Sequence, residues 1–204
     1  MPFTIDESFL PAILTAHPMT DEQFAEFCAE HPDLFFEMTA DGQIIVMAPT
    51  FSLTGNRSIK IARQLDTWAE SNNRGLAFGS SAGFVLPNGA RRSPDASWAA
   101  REKFERLTEQ AQEGFWHLCP DFVIELKSKS DRINTLRNKM REYIANGAQL
   151  GWLINPETRV VEVYRAIGEP EILTGITAVK GEGPVVGFVL DLTRIWDPLG
   201  SKRT

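Results

Sequence analysis

The chain has 204 residues, of which 43% are hydrophobic and 24% are charged, as is typical of one globular domain with a substantial core. The net charge of −6 and the isoelectric point of about 5.2 argue against a broad basic surface that grips nucleic acid. No apolar run approaches the roughly 18 residues of a membrane-spanning helix, and the first residues lack the pattern of a signal peptide. We therefore expect a cytoplasmic protein with one domain over 1–204, loosely ordered ends at 1–17 and 198–204, and reduced cysteines.

The first part of the chain predicts a helix followed by a β-hairpin. Thr20 and Gln23 have the spacing of a capping box, and Pro32 marks the end of the helix that they begin. Two apolar runs follow, and Asp41-Gly42 between them is a strong indication of a tight turn. The two predicted strands cover 34–38 and 43–47.

The middle of the chain predicts a long helix and several short strands. Ile61, Leu65 and Trp68 recur at helical spacing, and Asn88-Gly89 predicts a second hairpin turn. The predicted elements are a helix at 57–72, strands at 76–79 and 83–86, a returning strand at 91–98, and a charged outer helix or lid at 102–111.

The last part of the chain alternates strands with one helix. The run at 150–154 is almost entirely apolar, which is typical of a strand buried on both faces, and Gly147 before it serves as a helix C-cap. The predicted elements are a strand at 122–127, a helix at 134–146, strands at 150–154 and 160–164, and short strands in the tail, ending at 185–190.

An acidic and a basic residue share one face of the otherwise apolar strand at 122–127. Successive side chains on a strand point to opposite faces, so Glu125 and Lys127 lie side by side. Charges on such a strand are costly to bury unless they are paired, bound to metal or close to water. From this strand alone, a functional site and an exposed ion pair are equally consistent with the sequence.

A second carboxylate comes from one of three Pro-Asp dipeptides. Asp33 precedes the predicted sheet, and Asp121 is on the same strand as Glu125, about 13 Å away at the rise of a strand. Asp95 follows the Asn88-Gly89 turn and begins another extended segment. Asp95 is therefore the candidate partner of Glu125.

Pro94-Asp95, followed after about thirty residues by Glu125-x-Lys127 on a strand, resembles the PD-(D/E)XK nuclease superfamily and, within it, the Uma-two family of endonucleases. The resemblance implies an α/β (α+β) fold with a restriction-endonuclease-like core, in which helices flank a mixed β-sheet, preceded by an N-terminal helix and β-hairpin. It also implies that Asp95 and Glu125 hold Mg²⁺ or Mn²⁺, and that Lys127 stabilises the attacking hydroxide or the phosphate.

Two further sequence patterns match the family. Glu37 stands in a hairpin context resembling the one whose glutamate joins the metal site, often through water, although a solvated glutamate is the ordinary alternative. Lys139, Tyr143 and Gly147 match a Lys-x-x-x-Tyr-x-x-x-Gly pattern. From that helix Lys139 could reach a substrate phosphate or could be a solvated lysine, and the sequence favours neither.

Together these residues predict a metal-dependent endonuclease that hydrolyses phosphodiester bonds of nucleic acid, with DNA as the expected partner and a homodimer as a possible assembly. Two alternatives remain open at this point. The acidic composition is also consistent with a catalytically silent nuclease fold that serves as an interaction or assembly module. The same site could instead serve an RNA- or nucleotide-directed phosphodiesterase.

Overall fold

The computed structural model describes residues 12–14, 19–47 and 50–200. Most of the ends that were expected to be loosely ordered lie outside these residues, but Ala12–Leu14 forms a strand. The helices are α1 Asp21–Glu30, α2 Ser52–Asn72, α3 Arg101–Phe104, α4 Glu109–Gln112, α5 Ile133–Ala145 and α6 Thr193–Trp196. Within the described ranges, no helix is long and apolar enough to cross a membrane.

The strands form three sheets. In chain order they are β1 Ala12–Leu14, β2 Phe35–Met38, β3 Ile44–Met47, β4 Gly75–Gly79, β5 Phe84–Val85, β6 Arg91–Arg92, β7 Ala96–Ala100, β8 Phe122–Leu126, β9 Leu150–Asn155, β10 Val160–Arg165, β11 Glu171–Thr174, β12 Ala178–Lys180 and β13 Val189–Asp191. The sheets have the orders β1-β3-β2-β6-β5, β11-β10-β9-β8-β7-β4 and β12-β13.

The six-stranded sheet is mixed and places β8 near its centre. β8 and β9 are parallel and are joined by α5, because a parallel pair needs a crossover connection. The other neighbours in this sheet are antiparallel, including β7 beside β8. The predicted combination of a mixed sheet and flanking helices is confirmed.

Both faces of β8 are buried, so the alternative of an exposed ion pair on this strand does not apply to Glu125. Phe122, Ile124 and Leu126 belong to the core cluster that includes residues of α2, whereas Val123 packs with Met140 and other residues on the α5 side. Since side chains alternate along a strand, Glu125 faces the α5 side with Val123. This orientation places an acidic side chain inside a layer of packed helix and sheet.

Two local predictions at the N-terminal end are confirmed. Thr20 and Gln23 form the reciprocal hydrogen bonds of a capping box at the start of α1. The hairpin of β2 and β3 has the predicted turn, in which Gly42 adopts φ 85°, a value that favours glycine.

Other predicted boundaries are wrong. α2 begins at Ser52 rather than at 57, so Gly55 lies within the helix, a position that glycine tolerates at a cost of about 1 kcal/mol. The charged helix predicted at 102–111 is two short helices, α3 and α4, and the predicted strand at 185–190 begins only at Val189, after a 3₁₀ turn at Gly183–Val185.

The returning strand predicted at 91–98 is divided between two sheets. β6 belongs to the five-stranded sheet and β7 to the six-stranded sheet, and Ser93, Pro94 and Asp95 lie between them. Proline lacks an N–H for the ladder, so a break at Pro94 follows from its chemistry. The consequence is that Asp95 lies at the junction where the two sheets meet.

Candidate active site

Neighbouring strands bring Asp95 and Glu125 together. In the antiparallel pair of β7 and β8, Ala96 lies opposite Ile124, so the same register places Asp95 opposite Glu125. The Oδ2 atom of Asp95 accepts a hydrogen bond of 2.7 Å from the backbone N–H of Leu126. This bond fixes the Asp95 carboxylate at the carboxyl end of β8.

Lys139 enters the same site from α5. Its Nζ lies 2.7 Å from Oε1 of Glu37 and 2.8 Å from Oε1 of Glu125, and 3.5 Å from the carbonyl oxygen of Ser93. Its side chain is only 10% exposed. Lys139 is therefore not a solvated lysine on an outer face but the ammonium that joins two buried carboxylates.

Glu37 is saturated by donors from the protein. Its Oε1 accepts hydrogen bonds from Lys139 and from the backbone N–H of Ser93 at 2.9 Å, and its Oε2 pairs with Nη1 of Arg92 at 3.2 Å. Arg92 in turn pairs through Nε with Glu142 of α5 at 2.6 Å. A buried carboxylate with this many donors is an anchor between β2, β6 and α5, and neither oxygen remains without a partner.

Tyr143, one turn after Lys139 on α5, completes the environment of Glu125. Its fully buried hydroxyl donates a hydrogen bond of 3.1 Å to Oε1 of Glu125. Lys139 and Tyr143 thus converge on one oxygen, because residues four apart on a helix share a face. Burial, together with the nearby Glu125 and Glu37 carboxylates, raises the pKa of Tyr143, so the hydroxyl keeps its proton and remains a donor.

The cluster has more acidic than basic groups. The carboxyls of Glu37, Asp95, Glu125 and Glu142 lie around two cations, Arg92 and Lys139. Burial raises the pKa of Asp95 to about 6 and that of Glu125 to about 8, with neighbouring carboxylates adding to both. Burial also raises the pKa of Glu37, but Lys139 and Arg92 outweigh it and hold that pKa below the ordinary value.

The donor set fits a hard divalent cation. Oδ1 of Asp95 and Oε2 of Glu125 accept no hydrogen bond from the described residues, whereas the other oxygen of each carboxylate is engaged. Two open carboxylate oxygens match Mg²⁺ or Mn²⁺, which bind through one or two carboxylates with water or phosphate completing the shell. Among the described residues, no three His, Cys, Asp or Glu side chains form a ready-made metal cage.

Lys127 is not brought into this cluster. The β8 strand ends at Leu126, and Nζ of Lys127 lies 3.0 Å from Oε2 of Glu157 and 2.9 Å from the carbonyl oxygen of Ser128. Its side chain is 10% exposed, and no ion pair to Asp95 or Glu125 joins it within the described part of the chain. The geometry therefore puts Lys139, rather than Lys127, on the carboxylates.

Asp121, the other acid on this strand, has a structural environment. Its carboxylate accepts hydrogen bonds from the N–H of Ala100 at 2.9 Å and from Gln149 at 2.8 Å, and pairs with Lys103 at 2.9 Å. These partners tie the start of β8 to β7 and to the turn before β9. Asp121 therefore stabilises the sheet and lies outside the candidate site, as the spacing along the strand predicts.

Two residues of the site were not recognised as such from sequence. Arg92 gives no local indication, because its partner Glu37 is 55 positions away and the pairing depends on the β2-β6 contact. Tyr143 was recognised only as part of a family pattern. Its helical spacing from Lys139 is the one feature that could have placed both side chains on the face of α5 that meets β8.

Two cavities lie elsewhere in the described part of the chain. One of about 450 Å³ is lined by residues including Arg91 and His117, and another of about 480 Å³ by aromatic residues including Phe78 and Phe115. Neither of these two is lined by the carboxylate cluster.

Comparison with known proteins agrees with this architecture. The chain is similar to the crystal structure of "a putative nuclease belonging to DUF820" from Anabaena variabilis, with a TM-score of 0.70 and 18% sequence identity over 88% of this chain and 98% of that one. At this identity the likeness establishes the fold. No curated protein matches the chain. The model of the Uma2 family, described as "Putative restriction endonuclease", matches residues 21–193. The chain therefore belongs to the Uma2 family.

Proposed function

We propose that the chain is a metal-dependent endonuclease that hydrolyses phosphodiester bonds of DNA. The observation that carries the proposal is the register of β7 and β8, which sets Asp95 opposite Glu125 with one oxygen of each carboxylate open. Burial and neighbouring carboxylates raise the pKa values of both residues, and a divalent ion, either Mg²⁺ or Mn²⁺, would relieve the repulsion between the carboxylates and is supported as the cofactor. The description of the Uma2 family as "Putative restriction endonuclease" agrees with this chemistry.

Each residue of the cluster then has a role. Asp95 and Glu125 would hold the ion through Oδ1 and Oε2. When bound, a divalent ion supplies Lewis acidity, which lowers the pKa of a water molecule and neutralises charge on the phosphoryl group. Lys139 replaces Lys127 as the proposed lysine of the site, and its ammonium stabilises negative charge on the phosphoryl oxygens in the transition state.

Three other residues support the reactive groups without touching substrate. Glu37 holds the Lys139 ammonium at 2.7 Å, and Arg92 holds Glu37. Tyr143 donates to Glu125 and so fixes which oxygen of that carboxylate faces the open side. Such preorganisation matters because charged groups that are already oriented need no rearrangement when the transition state forms.

The reaction is a hydrolysis that needs no further reactant. The oxygen of a water molecule forms a bond to phosphorus while the bond from phosphorus to one ester oxygen breaks. One proton of the water is lost as the nucleophile forms, and the departing alkoxide takes up a proton. The products are a phosphate monoester at one chain end and a hydroxyl at the other.

Cleavage of supercoiled plasmid DNA with Mn²⁺ or Mg²⁺ tests the proposal, with the same protein in EDTA as a blank. The decisive comparison is between the wild type and Glu125→Gln, which keeps an acceptor for Tyr143 but removes the charge. We expect the loss of at least about 100-fold in rate, as is common when a metal-binding or charge-stabilising group is removed. Equal cleavage by both proteins would exclude this site.

Substrates of other kinds separate the alternative functions. Parallel assays with single-stranded RNA and with a small phosphodiester decide whether the same site acts on RNA or nucleotides. A wild type that binds no Mn²⁺ and cleaves none of these substrates would instead favour a catalytically silent module. The acidic net charge of −6 is the one sequence feature that favours this alternative.

A further inference from the structure

The Lys139 ammonium occupies a position among oxygen atoms that resembles a filled cation site. Its three neighbours are carboxylate oxygens of Glu37 and Glu125 and the carbonyl oxygen of Ser93, at 2.7, 2.8 and 3.5 Å. An ammonium has three donors, so these three acceptors use all of them. The protein thus supplies its own monovalent cation to the carboxylates of the candidate site.

This ammonium and the proposed metal ion share a carboxylate. Lys139 contacts Oε1 of Glu125, while Oε2 is the oxygen left open for the ion. Two cations on one carboxylate are separated by only a few ångströms, and at that distance partly buried charges repel strongly. Lys139 therefore weakens the binding of a divalent ion even though it leaves an oxygen free.

Lys139 has little freedom to move away and relieve this repulsion. Its side chain is 10% exposed, and Glu37 pairs with it at 2.7 Å. Arg92 is not free to replace Lys139 beside Glu37 Oε1, because it is already engaged by Oε2 of Glu37 and by Glu142. A phosphate group of a substrate would offset the repulsion between the Lys139 ammonium and the divalent ion, because its negative charge attracts both cations.

We propose that Lys139 acts as a built-in counter-ion that keeps the divalent-ion affinity of the Asp95–Glu125 site low until a phosphate is bound. This inference rests on the proposed function, because it assumes that these two carboxylates hold the ion. It assigns Lys139 a second role besides stabilising the reacting phosphate. By thermodynamic linkage, phosphate binding and ion binding then strengthen each other.

Titration of Mn²⁺ by calorimetry at about pH 8, repeated in buffers of different ionisation enthalpy so that protons displaced from Glu125 are counted, tests the proposal without any measurement of cleavage. The key variant is Lys139→Met, which keeps an unbranched side chain only one atom shorter and removes its charge. We expect Lys139→Met to bind Mn²⁺ at least about tenfold more tightly than the wild type, a change equivalent to about 1.4 kcal/mol.

A matched control is available in Lys103→Met. Lys103 also pairs with a buried carboxylate, that of Asp121 at 2.9 Å, but it lies outside the candidate site. We expect its Mn²⁺ affinity to equal that of the wild type. Removal of Lys139 alone leaves Glu125 without a cation and Glu37 with Arg92 only. A second variant, Glu37→Gln with Lys139→Met, therefore provides the same test in a protein with less uncompensated charge.

The outcomes are distinct. Tighter Mn²⁺ binding in either Lys139 variant that disappears when Glu125→Gln is added would support the proposal, including the case in which the wild type binds no measurable Mn²⁺. Unchanged or weaker binding in both Lys139 variants, with a wild type that binds Mn²⁺ and cleaves DNA, would overturn it and leave the proposed function intact. Absence of both binding and cleavage in all proteins would overturn both proposals.

Discussion

Nζ of Lys139 lies 2.8 Å from Oε1 of Glu125, so α5 and β8 meet through a buried ion pair. Glu125 belongs to a strand and Lys139 to the helix that follows it, 14 positions later in the chain. A helix can therefore supply the ammonium that a Glu-x-Lys strand supplies in the pattern read from sequence. The relationship also connects the two sheets, since Glu37 of β2 binds the same ammonium.

The first prediction distinguishes the two candidate lysines. Lys139→Met is expected to reduce the rate of DNA cleavage by at least about 100-fold, because the ammonium on the carboxylate cluster is lost. Lys127→Met is expected to change the rate by less than about threefold, since Lys127 pairs with Glu157, an exposed residue whose ion pair contributes little. Initial rates on supercoiled plasmid at saturating Mn²⁺ provide the measurement. A greater loss of rate in Lys127→Met than in Lys139→Met would show that Lys127, as predicted from sequence, is the lysine of the site.

The second prediction concerns Glu37, which the sequence assigned to the metal site. Both of its oxygens are engaged by Lys139, Ser93 and Arg92, so we expect Glu37→Gln to lower the maximal cleavage rate by about tenfold or more without weakening Mn²⁺ binding. Calorimetric titration of Mn²⁺ alongside steady-state kinetics measures the two effects separately. If Mn²⁺ affinity falls in Glu37→Gln, the glutamate is a metal ligand and the anchoring role is wrong.

The sequence predicted the parts of the fold that depend on local patterns. The capping box at Thr20, the glycine turn at Gly42 and the buried apolar strand before Asn155 depend on residues close in the chain, and each is confirmed. The helix predicted at 57–72 instead begins at Ser52 and includes Gly55. Tertiary packing overrides the weak helix propensity of a single glycine.

The candidate site was only partly predictable for the same reason. Asp95 and Glu125 could be paired from a spacing and a family resemblance, and the strand register agrees with that pairing. The carboxylate that pairs with a lysine, in contrast, depends on the tertiary structure, because the long side chain can reach several acidic residues. Lys127 has the expected spacing from Glu125 but extends past the end of β8 to Glu157, whereas Lys139 meets Glu125 across the packed α5 interface.

The third prediction separates a structural acid from the proposed metal ligands. Asp121→Ala removes the partner of Lys103 and the acceptor for Ala100 and Gln149, so we expect it to destabilise the protein by about 3 kcal/mol, as is usual when a buried pair is broken. Chemical denaturation monitored by circular dichroism measures this loss. Mn²⁺ affinity of the folded fraction should be unchanged, and a selective loss of Mn²⁺ binding would place Asp121 in the site.

The fourth prediction concerns pH. Burial raises the pKa of Glu125 to about 8 and that of Asp95 to about 6, above the ordinary values of 4.5 and 3.8. In the folded, metal-free protein these carboxyls therefore hold protons that the unfolded chain has released. The native state binds more protons in this range, so the contribution of both groups is fully present below their unfolded pKa values and is lost as pH rises towards 8.

We accordingly expect the melting temperature in EDTA to fall between about pH 4 and pH 8, and to fall less in Glu125→Gln, which has no proton to lose. Added Mn²⁺ should reverse the trend, because ion binding requires the deprotonated carboxylates and stabilises the folded state most at high pH. Differential scanning calorimetry of both proteins, with and without Mn²⁺, measures the two slopes. If Glu125→Gln retains the full pH dependence of the wild type, the proton is not held by Glu125. The carboxyl from which a divalent ion would displace that proton then belongs to another residue.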